Sequence, residues 1–81
     1  MNSVLIIDDD KELCALMKKC VEQENLSAAV AHGGLEGLRL LKENKDTYCL
    51  IILDVMMPGM DGFQVLQKIQ KQMGCITMME V

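Results

Sequence analysis

The sequence predicts an α/β fold built on a parallel sheet, and three observations predict it. Two short runs, residues 3–7 and 48–53, are apolar at nearly every position rather than at alternate ones, the pattern of strands buried on both faces. The segments between and after them carry apolar residues at helical spacing. Strand-like and helix-like stretches then alternate along the chain, an order satisfied by parallel strands joined through crossover helices.

The first strand reads Ser-Val-Leu-Ile-Ile from Ser3 to Ile7. From Lys11 the pattern becomes helical, with Leu13, Leu16, Met17, Cys20 and Val21 as the apolar residues and Lys18, Lys19, Glu22 and Glu24 between them, ending near Asn25. Ser27–Ala31 is a short small-residue strand. Gly33 and Gly34 break it, and a second amphipathic helix starts at Leu35, continues through Leu38 and Leu41 and ends near Glu43. The third strand, Tyr48–Leu53, ends in Asp54. After the Pro58-Gly59 turn, Asp61 is placed to cap a third helix with Phe63, Leu66, Ile69 and Met73 on one face, and Gly74 to stop it. The stretch from Cys75 to Val81 is apolar enough for a fourth strand. About four strands and three helices are therefore expected.

With 81 residues the chain has room for a single domain, because a core of this size buries little more than ~60% of its unfolded surface. Its net charge of −4 and scattered lysines offer no footprint for a phosphate backbone, so direct nucleic-acid binding is not expected. Tyr48 and Phe63 are its only large aromatic residues, which also removes stacking platforms for bases. Cys14, Cys20, Cys49 and Cys75 form no CxxC pair and read as reduced core thiols rather than a metal or redox set. The N-terminus lacks a basic region and long apolar stretch, and no apolar run approaches membrane-spanning length. The expected compartment is the cytoplasm, with no membrane partner.

In doubly wound sheets, ligands bind outside the carboxyl ends of the strands. Both groups of acids fall there: Asp8, Asp9 and Asp10 follow the first strand, and Asp54 follows the third. If those strands are neighbours, their carboxylates converge, repel one another and need a cation. An all-oxygen set with few protein ligands suits magnesium. Asp10 and Asp61 have a plainer use as helix caps. Asp54 stands at a strand tip well before the next helix, so a pocket role suits it better. His32, with no cysteine or acid at ligand spacing, reads as a loop residue, and Met56, Met57 and Met60 as loop and helix packing. A dinucleotide fold would need glycines where Asp8-Asp9-Asp10-Lys11-Glu12 stands. A haloacid-type phosphatase would want an acid where Met56 stands, and the chain is not expected to be an enzyme.

The run Val4-Leu5-Ile6-Ile7-Asp8-Asp9-Asp10, followed at the matching separation by Leu50-Ile51-Ile52-Leu53-Asp54-Val55-Met56-Met57-Pro58-Gly59-Met60-Asp61-Gly62, resembles the receiver domains of bacterial two-component response regulators. The resemblance covers about residues 3 to 73. It implies a flavodoxin-like doubly wound sheet, a phosphoprotein of a phosphorelay in which Asp54 takes a phosphoryl group from a histidine kinase, and a Mg2+ site at Asp8, Asp9 and Asp54 with the backbone carbonyl of Met56. By analogy with the family, the parent would be a transcriptional response regulator.

Receivers of this kind also carry a hydroxyl residue at the end of strand four and a lysine at the end of strand five. Here Glu80 or Val81 falls near the hydroxyl position, with Thr77 too early. Residues 1–81 are accordingly expected to form a receiver fragment lacking the segment for helix four, strand five and helix five. Two further expectations accompany that one. The chain self-associates or swaps domains, and its alternative role is that of a truncated, non-phosphorylatable interaction fragment or a non-functional gene product.

Overall fold

The computed structural model describes residues 3–43, 47–54, 62–73 and 77–80. Its elements are β1 (Ser3–Ile7), α1 (Lys11–Gln23), β2 (Ser27–Ala31), α2 (Gly34–Glu43), β3 (Tyr48–Leu53), α3 (Gly62–Met73) and β4 (Thr77–Glu80). The four strands form one sheet in the order β2-β1-β3-β4, and every pairing is parallel. The expected Pro58-Gly59 turn, the Asp61 cap and the Gly74 stop lie outside the described residues, as do Cys75, Val81 and the Met56, Met57 and Met60 group.

β1 explains why its sequence is apolar at consecutive positions. Leu5 and Ile7 enter one buried cluster with Ala31, Leu41, Ile51, Leu53, Val65 and Ile69, on the side covered by α2 and α3. Val4 and Ile6 enter the other, with Cys14 at its centre and Met17, Val21 and Leu26 packed around it. A strand sandwiched in this way has no solvent side, so polar alternation would place charge in a core.

The amphipathic faces required three corrections. In α1 the buried stripe is Cys14, Met17 and Val21, whereas Leu13 and Leu16 are exposed at 37% and 61%. In α2, Leu41 is buried and Leu38 packs on the core, but Leu35 is 72% exposed. In α3, Val65 joins Ile69 in the core one turn away, a position the expected face had omitted. The thiols divide as well: Cys14 is buried, while Cys20 and Cys49 are exposed and so are not core residues. Cys20 lies on the same outer flank of α1 as Leu16 and Leu13, one and two turns away respectively by helical spacing.

Helix ends also shift by a residue or two, for identifiable reasons. α1 stops at Gln23 because Asn25 takes a left-handed conformation, φ 61°. There its N–H bonds Glu22 O at 3.1 Å while the Leu26 N–H bonds Val21 O at 3.4 Å, a Schellman closure in which Leu26 and Val21 both pack on the cluster around Cys14. α2 begins at Gly34 rather than Leu35. The Glu36 carboxylate reaches back to accept the His32 N–H at 3.3 Å, and the Gly37 N–H bonds Gly33 O at 3.0 Å, so the first turn closes over the glycines.

Candidate functional site

The ladder that joins the strands also sets the acids. The Asp8 N–H donates to Ala31 O at 3.0 Å, and the Asp54 N–H donates to Ile7 O at 2.9 Å. These bonds continue the β1–β2 and β1–β3 pairings by one residue, so Asp8 and Asp54 emerge together from neighbouring strands at the carboxyl edge of the sheet. Asp9 follows directly. One carboxylate oxygen from each of Asp8, Asp9 and Asp54 lies within 4.8 Å of the others. The convergence expected from strand order is therefore present.

The three differ in environment. Asp8 is buried, 3% exposed, Asp54 is half-buried and Asp9 is exposed. Burial raises the Asp8 carboxyl above its ordinary range. The Asp10 N–H bond to Asp8 Oδ1, 3.0 Å long, opposes that rise, and the neighbouring Asp54 and Asp9 charges and a hydrogen bond with Asp54 add to it. An acid held reluctant to ionise among two others is a site that a cation would relieve. The donors are all carboxylate oxygens close enough to share one ion, a set that fits a small hard dication better than zinc or copper. Asp8, Asp9 and Asp54 are the residues that would hold it. Its charge would offset the mutual repulsion of the three carboxylates.

Asp10 stands apart from this set, as its sequence position indicated. It caps α1, accepting the Leu13 N–H at 3.1 Å through Oδ1. The Met56 carbonyl, expected as a further ligand, lies outside the described residues. Two contacts were not foreseen. The main-chain carbonyl of Asp8 accepts from Cys14 Sγ at 3.3 Å and lies 3.3 Å from His32 Nδ1. His32 is in the loop after β2, as expected, but it is tied to the pocket. No spacing in the sequence pointed to it, because the link depends on β2 lying beside β1.

β4 completes this edge. Its register pairs Glu80 with Leu53, the residue before Asp54, which places an acid rather than a hydroxyl residue next in line on the neighbouring strand.

A model of the response regulator receiver domain matches residues 4–79. The chain belongs to this family. The fold is accordingly the flavodoxin-like receiver fold. A response regulator receiver domain from Clostridium thermocellum superposes with a TM-score of 0.92 at 26% identity, covering 99% of this chain and 64% of that one. A chain of the complex between histidine kinase ThkA and response regulator protein TrrA gives a TM-score of 0.85 at 30% identity, covering 99% of this receiver and 67% of that chain. Among curated proteins, the transcriptional regulatory protein CpxR of Escherichia coli K12 is 41% identical over 71 residues, which is 88% of this receiver and 29% of that protein. The CpxR homolog of Haemophilus influenzae is 39% identical over 79 residues, or 98% and 34%. The receiver thus spans about a third of the length of these two relatives.

Proposed function

We propose that this receiver is the phosphoacceptor module of a two-component phosphorelay, in which Asp54 takes a phosphoryl group from a histidine kinase and Asp8 and Asp9 hold Mg2+ beside it. The observation that carries the reading is the fixed convergence of three carboxylates, with the Asp54 main chain bonded to Ile7. In the transfer, an Asp54 oxygen forms the new O–P bond as the N–P bond of a phosphohistidine breaks. The imidazole leaves neutral after gaining a proton from solvent. Family resemblance adds the Met56 carbonyl to the metal ligands.

The kinase as partner is supported by the likeness to a chain of the ThkA and TrrA complex, and transcriptional output by the likeness to CpxR. The module is a substrate of its kinase rather than an enzyme that turns over. None of its described helices is long and apolar enough to cross a membrane, and a cytoplasmic site of action is part of the proposal.

A second reading, that of an interaction fragment that is not phosphorylated, is favoured by one observation. Glu80 pairs in register with Leu53, the residue before Asp54, so the position at which the family carries a hydroxyl residue to read the phosphate is occupied by a residue of another type. Lys68 and Lys71, both exposed on α3, are the lysines that follow Asp54 in the sequence. Intact mass after acetyl phosphate treatment separates the two readings. Slow, substoichiometric and Mg2+-dependent gain of one phosphoryl group, lost in Asp54→Asn, is the expected result. Mg2+ binding with no gain in mass would favour the second reading, and modification that persists in Asp54→Asn would reject Asp54 as acceptor.

A further inference from the structure

The carbonyl of Asp8 is gripped from two directions. Cys14 Sγ reaches it from α1 on one face of the sheet, and His32 Nδ1 reaches it from the loop that leads into α2 on the other, each at 3.3 Å. A carbonyl oxygen only accepts, so a hydrogen bond here requires the Nδ1–H form of the His32 ring. His32 is itself held, because its N–H donates to Glu36 Oε2 at 3.3 Å in the first turn of α2. The residue before it, Ala31, accepts the Asp8 N–H at 3.0 Å. The peptide groups on both sides of Asp8 are therefore fixed, the first by the strand ladder and the second by these two side chains together with the 3.0 Å bond from the Asp10 N–H to Asp8 Oδ1.

That second peptide group decides where Asp9 goes. Beyond the last ladder bond the chain can rotate about the Asp8 Cα–C bond, and the rotation swings Asp9 away from Asp8 and Asp54. Asp9 is exposed, so packing does not aim it. We infer that His32 is a positioning residue of the acidic pocket: by donating from Nδ1 to the Asp8 carbonyl, it holds Asp8 and Asp9 as a preorganised pair for the divalent cation. The inference rests on the reading of the pocket as a Mg2+ site. Groups that orient metal ligands in this way contribute about 10-fold to 100-fold in metal affinity. With Cys14 sharing the same oxygen and the Asp10 N–H bond to Asp8 Oδ1 restraining the same turn, the lower end is expected.

The test compares the 81-residue chain with His32→Ala and His32→Asn, because an asparagine amide can place a donor close to the Nδ1 position. Mg2+ titration is followed by amide shifts of residues 8–10 and 54, with thermal midpoints in chelator as a control on folding. Affinity should fall about 10-fold in His32→Ala and be largely restored in His32→Asn, with midpoints in chelator little changed. Nitrogen-15 ring spectra recorded at alkaline pH should place the proton on Nδ1 even without Mg2+. Equal affinity in the chain and His32→Ala, equal loss in both variants, or a ring proton on Nε2 would each overturn the inference. A chain that shows no Mg2+ response would overturn the pocket reading instead, and the ring spectrum would then decide the His32 contact by itself.

Discussion

Asp8 carries an electrostatic cost that pH should expose. Its folded carboxyl is raised above the ordinary value, first by burial and then by Asp54 and Asp9, so the native state takes up a proton more readily than the unfolded chain. Stability from this group is present below the ordinary carboxylate value and is lost as pH rises through the raised one. In chelator, thermal midpoints should therefore decline from weakly acid to neutral pH, and Mg2+ should recover them. Asp8→Asn keeps an acceptor for the Asp10 N–H while removing the charge. It should melt higher than the parent at neutral pH in chelator and show no Mg2+ response. A lower midpoint for Asp8→Asn under those conditions would contradict the burial argument. The thiols give a second prediction at this scale. Burial and the nearby acids push the Cys14 thiol up, while Cys20 and Cys49 are exposed. Brief alkylation of the folded chain, mapped by peptide mass, should label Cys20 and Cys49 and reach Cys14 only in denaturant.

Between elements, α2 packs closely on β1 at Gly37. A Cβ at Gly37 would come within 2.5 Å of Ile7 Cδ1, 2.8 Å of Cγ1 and 3.3 Å of Cγ2. Glycine in a helix interior costs about 1 kcal/mol against alanine, yet overpacking a fully buried neighbour costs about 1 to 3 kcal/mol, so the clash should win. Gly37→Ala is expected to lower stability by about 1 kcal/mol in urea unfolding. Because Ile7 O receives the Asp54 N–H, amide shifts should also change at Asp54. A more stable variant would mean that Ile7 moves aside freely.

The same contacts show what the sequence made legible and what it did not. Strands β1 and β3 and their terminal acids were readable because burial on both faces leaves an unbroken apolar run. The buried side of α1 was not. Its apolar residues form two stripes of identical spacing, 13/16/20 and 14/17/21, and periodicity admits either. The choice is made by which stripe meets Val4 and Ile6, a tertiary fact that placed a cysteine inside and two leucines outside. For β4, apolarity alone left Glu80 and Val81 as candidates beside the pocket, and only the register with β3 pairs Glu80 with Leu53.

Across the whole molecule the sheet is covered unevenly among the described residues. One face lies under α2 and α3. The other has α1, which contributes Cys14, Met17 and Val21 over Val4 and Ile6 and leaves Leu50 and Ile52 of β3 half-exposed. Full burial of such a side chain is worth about 1.5 to 3 kcal/mol, against a typical margin of about 5 to 15 kcal/mol, so covering this face is a substantial driving force. The 81-residue chain should self-associate with rising concentration and bind a hydrophobic dye, as sedimentation velocity and fluorescence would show. A sharp monomer with no dye binding and strong exchange protection in β1 and β3 would refute this. The β1–β3 pairing has one more consequence, in time rather than space. Ile7 pairs with Leu53, 46 positions later (53 − 7), whereas its partner Ala31 in β2 is 24 away (31 − 7). Closing the longer loop costs more chain entropy and comes later in a search that favours near neighbours. The acidic pocket spans that late junction, so no intermediate with β1 and β2 alone can hold the ion in full. During refolding, Mg2+ capture should lag behind helix formation and keep pace with the arrival of β3, making the ion a clock for the last long-range step.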